Sequence, residues 1–193
     1  MPEVTFTEAV IAYGSNLSGA PGTPAKVVDA ALHGLSSKGF RILRKSGHFR
    51  SSAWPPGSGP DFVNGVVLVE TSVSAEATLA KLHAIEADLG RERQMRWGAR
   101  VIDLDLIFWG HLVAPDEATW RAWHDLPPGV QATQAPDELI LPHPRLGDRA
   151  FVLVPMVQVI PDWQHPITGQ TVAAMTAALP PTATADVTPL LPE

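Results

Sequence analysis

Cysteine is absent from this chain of 193 residues. Its absence excludes a disulfide framework, a thiolate zinc site, an iron–sulfur cluster and a cysteine nucleophile. The glycine-rich sequences that cradle phosphates are also missing, because there is no GxxxxGKS/T segment and no GxGxxG segment after the first predicted strand. A nucleotide site in this protein would therefore have to be built from charged side chains and a metal ion.

Long apolar runs are lacking as well. No stretch approaches the length of a membrane span, and the first residues have neither the basic region nor the apolar run of a signal peptide. The 20 acidic residues outnumber the 14 basic ones, and the net charge of −6 argues against a nucleic acid or an anionic membrane as partner. We therefore expect a cytoplasmic protein, and the sequence indicates no obligate protein partner.

Hydrophobic residues make up 45% of the chain, an ordinary share for a globular protein. The length suits one domain over residues 1–193, with a tail from about residue 180 that we expect to be poorly ordered. Apolar patterns predict strands over residues 4–13, 40–49, 62–71 and 101–109, and helices over residues 24–38 and 75–89. This β-α-β-β-α-β order predicts an α+β fold, a ferredoxin-like sandwich with helices on one face of an antiparallel sheet and C-terminal additions.

The remaining segments are less regular. Residues 110–138 show no periodicity, so we expect a long, partly ordered excursion there. Residues 148–160 predict short helical pieces divided at Pro155, because proline disrupts a helix interior. Residues 171–178 are expected to form a last helical turn or two.

Two carboxylates interrupt the last predicted strand. Side chains alternate along a strand, so Asp103 and Asp105 lie on one face while Leu104 points to the other. Neighbouring carboxylates in an apolar strand repel each other and lose hydration, and a divalent cation relieves both costs. Oxygen ligands suit Mg²⁺, which shares its other positions with water and phosphate. A half-exposed polar face on an edge strand explains the same pattern without a metal.

An arginine-rich segment comes immediately before that strand. Its members Arg91, Arg93, Arg96 and Arg100 lie within ten residues and are opposed only by Glu92. Guanidinium groups bind phosphate oxygens through paired hydrogen bonds. A solvated charged loop is the commoner role of a basic run, but a phosphate chain held between these arginines and Mg²⁺ explains both clusters with one ligand.

A third cluster adds His143, Arg145 and Arg149. A lone histidine is more often structural, but this one lies between two prolines and beside arginines. The cluster is therefore a candidate anion contact.

Two further pairs share a face of a predicted element. Phe62 and Asn64 are two apart on a strand, where an amide beside a ring can read the edge of a flat heterocycle. Phe62 alone is equally explained as a core residue. His83 and Glu86 are three apart on a helix, and that pair by itself indicates no function.

Together these motifs resemble a known family. The segments that carry the resemblance are Gly14-Ser15-Asn16-Leu17, Gly59-Pro60-Asp61-Phe62-Val63-Asn64, Glu86, Gly90-Arg91-Glu92-Arg93, Arg96-Trp97-Gly98-Ala99-Arg100, Asp103-Leu104-Asp105, Leu141-Pro142-His143-Pro144-Arg145 and Arg149-Ala150-Phe151-Val152-Leu153. In this order and spacing they closely resemble 6-hydroxymethyl-7,8-dihydropterin pyrophosphokinase, an enzyme family of folate biosynthesis. The similarity runs from about Val10 to about Pro161.

The resemblance implies a Mg²⁺-dependent transferase, a 2-amino-4-hydroxy-6-hydroxymethyldihydropteridine diphosphokinase. Such an enzyme moves pyrophosphate from ATP to the hydroxymethyl group of the reduced pterin and releases AMP. The resemblance implies that Asp103 and Asp105 hold two Mg²⁺ ions that bridge the ATP phosphates. These aspartates, with Arg91 and Arg100, are then the catalytic residues. No residue stands out as a general base.

The resemblance also divides the site between two small-molecule partners, ATP and a reduced pterin. The residues implied for ATP are His83, Glu86, Arg91, Arg93, Trp97, Arg100, His143 and Arg149. Those implied for the pterin are Phe62 and Phe151, which sandwich it, together with Ser51, Asn64 and Trp97.

The chain departs from the family pattern at several positions. The family often has tyrosine at Phe62, Thr-Pro at Ser51-Ser52 and proline at Ala99, and some members have arginine at Glu138, to which we assign no role.

Two other functions remain open from the residues. A ferredoxin-like RNA-binding module would need a basic sheet face. The net charge of −6 argues against this function. A Mg²⁺-dependent phosphohydrolase would use the same carboxylates.

Overall fold

The computed structural model of the protein describes residues 5–54, 56–91, 100–131 and 134–191. The strands are β1 (Thr7–Ser15), β2 (Arg41–Lys45), β3 (Phe49–Ser51), β4 (Phe62–Thr71), β5 (Asp103–Trp109) and β6 (Thr188–Pro189). The helices are α1 (Pro24–Ser37), α2 (Ala75–Asp88), α3 (Glu117–His124), α4 (Pro128–Gln131), α5 (Ala150–Val157), α6 (Val172–Ala178) and α7 (Pro181–Ala185), with a 3-10 turn at Leu146–Asp148. In these segments no helix is both long and apolar enough to cross a membrane.

The strands form an antiparallel sheet in the order β5-β1-β4-β3-β6, and β2 also pairs with β4. β1 lies between β5 and β4, and its pairing register sets Gly14 opposite Asn64 on one side and opposite Asp103 on the other. One end of the sheet therefore brings the predicted strand-borne polar residues into a single row.

Helices cover both faces of the sheet. On one face, α1 and α2 pack against side chains that include Ile11 and Val67. On the other face, α5 and α6 pack against side chains that include Val10, Val66 and Ile107. The expectation of helices on one face holds for α1 and α2 only. Because both alternating sets of β1 and β4 side chains are apolar, the sheet buries its second face as well.

The predicted strand over residues 40–49 is divided into β2 and β3. Between them the Ser46 amide donates to the Val66 carbonyl at 3.0 Å, while the Ser46 hydroxyl accepts from the Val66 amide at 3.0 Å. A side chain thus replaces one main-chain acceptor, and the regular ladder is interrupted there.

The prediction that Pro155 divides a helix is wrong, because Pro155 lies inside α5. In a helix of 8 residues the missing proline N–H removes one main-chain hydrogen bond. The largely buried α5 keeps its other contacts with the sheet, since Val152, Leu153 and Met156 are all in the core.

Two segments are more regular than expected. The excursion over residues 110–138 contains α3, whose Trp120 is fully buried. The tail beyond Pro180, expected to be poorly ordered, forms α7 and β6. Val187 is buried, and the Leu190 amide donates to the His48 carbonyl at 2.8 Å. These long-range contacts order a segment that has no periodicity of its own.

Candidate active site

A cleft of about 800 Å³ opens at the end of the sheet where Gly14 lies. Ten of the predicted site residues line it, namely Ser51, Phe62, Asn64, His83, Arg100, Asp103, Asp105, His143, Arg149 and Phe151. They come from β3, β4, α2, β5 and the segment that leads into α5, so the tertiary structure collects most of the predicted site in one place. Of the other predicted residues, Glu86 and Arg91 are not among the lining residues, while Arg93 and Trp97 lie outside the described residues.

Gly14 makes room at the centre of the row. A Cβ atom there would come within 2.9 Å of Asn64 Oδ1 and 3.7 Å of the Phe62 ring. The Asn64 amide Nδ2 donates to the Ser51 hydroxyl at 2.8 Å and is buried. The amide therefore has a fixed direction beside the ring, which suits the reading of a flat, hydrogen-bonding molecule.

The two aspartates of β5 project into the cleft from alternate positions, as predicted. Arg100 Nη1 donates to Asp103 Oδ2 at 2.5 Å, and Arg91 Nη1 lies 2.6 Å from Asp103 Oδ1. On the neighbouring carboxylate, Arg149 Nη1 donates to Asp105 Oδ2 at 2.8 Å. Each carboxylate is thus neutralised by guanidinium groups, which are the groups predicted to contact phosphate.

The buried Glu86 holds both β5 and the Arg91 side chain in place. Its side chain is 2% exposed, and Oε1 accepts both from the Leu104 amide at 2.8 Å and from the Arg91 guanidinium. Burial lowers the pKa of Arg91, but Asp103 and Glu86 outweigh that effect and raise it overall. Glu86 therefore ties α2 to β5 and directs Arg91, instead of lining the cleft.

The His143 imidazole is a neutral donor. Burial, followed by the nearby cations Arg149 and Arg145, holds the pKa of His143 well below its usual value. Its Nδ1 accepts from the Arg145 amide at 3.1 Å. Because Nδ1 is an acceptor, the proton of the neutral ring resides on Nε2, which can donate to an anion.

Arg145 lines the same wall of the cleft. Burial and the adjacent Arg149 lower the pKa of its guanidinium, partly offset by Asp148. Its buried Nε atom has no hydrogen-bond acceptor among the described residues. The sequence predicted Arg145 only as one member of the cluster with His143 and Arg149. The structure shows that its guanidinium lies close to the cationic Arg149.

Aromatic residues line the same cleft as the charged ones. Phe62 and Phe151 both line it, and the Arg149 guanidinium carbon lies 5.8 Å from the centre of the Phe151 ring. Trp54 also lines the cleft and is 72% exposed. An apolar slot thus adjoins the cationic region.

Asn16 is a site residue to which sequence reasoning assigned no role. Its Oδ1 accepts from the Arg100 amide at 2.7 Å, and its Nδ2 donates to the Pro60 carbonyl at 3.0 Å. It thereby joins the segment before β4 to the segment before β5. The available signal was its position directly after the end of β1, in the Gly14-Ser15-Asn16 motif.

The carboxylates meet the chemical requirement for Mg²⁺. Asp103 and Asp105 supply oxygen ligands from one strand face, and Arg100 and Arg149 beside them suit the phosphates that share such an ion. No group of three or more His, Cys, Asp or Glu side chains that could hold a metal occurs in the described part of the chain. The two carboxylates are the donors that the described residues offer to Mg²⁺, an ion commonly held by one or two carboxylates together with phosphates.

The fold and the cleft define an α+β protein whose site combines paired carboxylates and arginines with an aromatic slot, an arrangement suited to phosphoryl-group transfer. The sequence pattern of the family described as 7,8-dihydro-6-hydroxymethylpterin-pyrophosphokinase matches residues 10–161. The chain belongs to this family of pyrophosphokinases, which are transferases of folate biosynthesis.

Individual relatives agree with this assignment. The 2-amino-4-hydroxy-6-hydroxymethyldihydropteridine pyrophosphokinase of Synechocystis sp. is 36% identical over 182 residues, which cover 94% of this chain and 80% of the relative. That of Methylorubrum extorquens is 32% identical and covered to 96%. The folic acid synthesis protein fol1 of Pneumocystis carinii is 34% identical, but only 20% of its length is covered.

A solved structure shows the same fold. The crystal structure of Plasmodium falciparum HPPK-DHPS matches with a TM-score of 0.63 at 14% identity, over 92% of this chain and 45% of that one. At this identity the likeness concerns the fold alone, and the chain spans less than half of the Plasmodium chain.

Proposed function

We propose that the protein transfers a pyrophosphoryl group from ATP to the hydroxymethyl group of 6-hydroxymethyl-7,8-dihydropterin and releases AMP. The observation that carries this proposal is that Asp103 and Asp105, two arginines and the aromatic slot line the same cleft. A triphosphate needs the cationic part of this cleft, and a flat heterocycle needs the aromatic part.

The pterin subsite is built from Phe62, Phe151, Asn64 and Ser51. The rings supply stacking surfaces, and the buried Asn64 amide, held by Ser51 at 2.8 Å, supplies edge recognition. The resemblance adds Trp97 to this subsite.

The nucleotide subsite uses the cationic wall. Arg100, Arg149 and the Nε2–H of His143 face the phosphates, with His83 alongside them in the cleft. Arg91 contributes from its position on Glu86 and Asp103. Arg93 and Trp97 belong to the same subsite by the resemblance.

Asp103 and Asp105 would hold two Mg²⁺ ions together with the ATP phosphates. When bound, Mg²⁺ supplies neutralisation of the negative charge that the phosphates carry. The side chains of this cleft orient the two substrates and stabilise charge, so no protein nucleophile is required.

The reaction is balanced by one bond formed and one broken. The pterin hydroxyl oxygen forms a bond to the β-phosphorus of ATP, and the bond from that phosphorus to the bridging α,β-oxygen breaks. AMP leaves with the bridging oxygen and the electron pair, and the hydroxyl proton passes to solvent. The arginines that face the phosphates stabilise the charge that develops on them.

The fold in which this occurs is, in our proposal, the ferredoxin-like one. The order β5-β1-β4 with β2 and β3 at the far side corresponds to that pattern, and α5 to α7 are additions to it. We propose one domain, acting on small molecules without an obligate protein partner, because the sheet contributes to both hydrophobic cores.

The test is product analysis by phosphorus NMR with ATP, Mg²⁺ and the reduced pterin. AMP and pyrophosphorylated pterin should appear in equal amounts, and chelation of Mg²⁺ should stop the reaction. Asp103→Asn and Asp105→Asn should each lower kcat by about a thousandfold without loss of fold. Asp88→Asn, which alters an exposed carboxylate paired with Lys38, is the matched control. Release of free phosphate without modified pterin would identify a hydrolase and refute the proposal.

A further inference from the structure

The helix α3 lies against the segment that carries His143. The Asp116 carboxylate accepts from the Thr119 amide at 2.8 Å and caps the helix. One turn apart on the same face, Trp120 and His124 stack with ring centres 4.6 Å apart and planes at 15°. Trp120 is 1% exposed, so this face of the helix is buried against the protein.

Both stacked rings hydrogen-bond to main-chain carbonyls. Trp120 Nε1 donates to the Pro142 carbonyl at 2.7 Å, and His124 Nδ1 lies 2.9 Å from the Pro144 carbonyl. A carbonyl oxygen only accepts, so His124 Nδ1 must carry a proton. The two carbonyls stand directly before and after His143.

Main-chain hydrogen bonds to β5 and to Ala114 also hold this segment. The His143 amide donates to the Ile107 carbonyl at 2.8 Å, and Ala114 and Leu141 exchange two main-chain hydrogen bonds of 3.0 Å each. Pro142 and Pro144 have no N–H to offer, so the carbonyls are the groups through which their peptides can be fixed. The α3 rings hold two of these carbonyls.

We propose that Trp120 and His124 are positioning residues for His143, acting through the carbonyls of Pro142 and Pro144. The inference rests on the proposed function, in which His143 donates to the ATP phosphates. It gives the excursion over residues 110–138 a role in the site. The orientation of the imidazole depends on a helix whose two rings do not themselves need to touch the substrate.

Variants that keep the stack and remove a donor test this proposal. Trp120→Phe and His124→Phe retain an aromatic ring without the ring N–H. Each should raise KM for ATP by about fivefold to tenfold, while KM for the pterin stays within about twofold. His124→Asn places an amide donor near the Nδ1 position and should restore KM for ATP. Arg121→Ala, which removes an exposed helix pair with Glu117, is the matched control.

A double-mutant cycle separates positioning from general support of the structure. In a His143→Ala background, His124→Phe should change KM for ATP no further, because its effect passes through His143. An independent effect of full size in that background would overturn the proposal. An effect of equal size on both substrates would overturn it as well.

A second measurement does not depend on catalysis. Nitrogen NMR of the His143 imidazole should show the Nε2–H tautomer in the unaltered protein and in His124→Asn, and a mixture of tautomers in His124→Phe. An unchanged His143 signal in His124→Phe refutes the positioning role. If the signal shifts but no pyrophosphorylated pterin forms in any variant, the proposed function fails while the positioning role stands.

Discussion

Arg145 differs from Arg91, Arg100 and Arg149 because no carboxylate in the described part of the chain lies within hydrogen-bond distance of it. Arg91, Arg100 and Arg149 each bind an aspartate of β5. The Arg145 Nε atom is buried without an acceptor among the described residues, and burial, followed by the adjacent Arg149, lowers the pKa of this guanidinium. A cation that has lost hydration without gaining a carboxylate partner lowers the stability of the fold. A bound anion would pair with this cation, so the same group favours anion binding.

Arg145→Met should therefore separate stability from binding. The midpoint temperature of unfolding without ligand should rise, since an apolar chain of similar length replaces a poorly paired charge. The affinity for ATP, measured by calorimetry, should fall by about tenfold. Arg121→Met on the exposed side of α3 is the control. A variant that binds ATP normally, or one that loses both stability and affinity, would contradict this account.

The buried His165 makes the stability of the protein depend on pH. It is 2% exposed and packs edge-on to Trp120 and Trp163. Burial, followed by the nearby His124, lowers its pKa to about 4. In the unfolded chain a histidine titrates near pH 6.5, so between these two values the unfolded state binds more protons. Stability must then decrease as the pH falls from about 6.5 toward 4.

His165→Asn removes this titration while its amide oxygen can still accept from the Ile167 amide, as Nδ1 does at 3.2 Å. The loss of unfolding free energy between pH 7.5 and pH 5.0 should be smaller in the variant by about 2 kcal/mol. Urea denaturation at the two pH values measures it. An equal loss in both proteins would show that His165 is not the group responsible.

At the scale of elements, the C-terminal segment supports the strand that carries Ser51. β6 pairs with β3, and Asp186 accepts from the Ser52 amide at 3.0 Å and from the Ser52 hydroxyl at 2.5 Å. Ser51 in turn fixes the Asn64 amide. The tail is therefore connected to the proposed pterin subsite through Ser52, which Asp186 binds, and the adjacent Ser51, which binds Asn64.

Asp186→Ala should raise KM for the pterin by about twofold to fivefold, because two hydrogen bonds to a carboxylate that is exposed to solvent are lost. KM for ATP should stay nearly constant, since in the described part of the chain no hydrogen bond joins Asp186 or Ser52 to the residues of the nucleotide subsite. Ser51, next to Ser52, instead holds Asn64 of the pterin subsite. Steady-state kinetics with each substrate varied in turn measures both constants. Leu191→Ala, at an exposed position of the same tail, is the control. Equal changes in the two constants would argue for a loss of overall order in the tail.

At the scale of the whole molecule, a chain with a net charge of −6 concentrates cations in one cleft. Arg100 and Arg149 of the cleft, with Arg91 beside them, bind the very carboxylates proposed to hold Mg²⁺. Phosphates and a divalent cation must therefore exchange partners with these pairs together. Binding of ATP and binding of Mg²⁺ are expected to be coupled for this reason.

Thermal unfolding should reveal the coupling. ATP alone and Mg²⁺ alone should each shift the midpoint temperature little, and the two together should shift it by more than the sum, in keeping with a coupling free energy of about 1–3 kcal/mol. Chelation of Mg²⁺ should return the shift to that of ATP alone. Asp105→Asn should reduce the excess, because it loses a carboxylate on which the exchange depends. Additive shifts in the unaltered protein would contradict the exchange of partners.

Local patterns were sufficient for part of the site. The period of a strand placed Asp103 and Asp105 on one face, and β4 runs over the predicted residues Phe62 to Thr71. The basic run indicated an anion contact without showing which arginines pair with which aspartate. Phe151 entered only through the family resemblance, because its own segment has no distinctive spacing.

The sequence by itself determined the approximate positions of β1, β4 and β5, the two carboxylates on one face and the family to which the motifs are similar, since these depend on short-range periodicity and residue chemistry. Only the tertiary structure decided that Glu86 supports β5, that Arg145 is poorly paired, that α3 holds the His143 segment and that the tail reaches Ser52. Each of these depends on contacts between residues far apart in the chain, such as the 134 residues that separate Ser52 from Asp186. No local pattern encodes such a pairing, because it is set by how the helices and strands pack against one another.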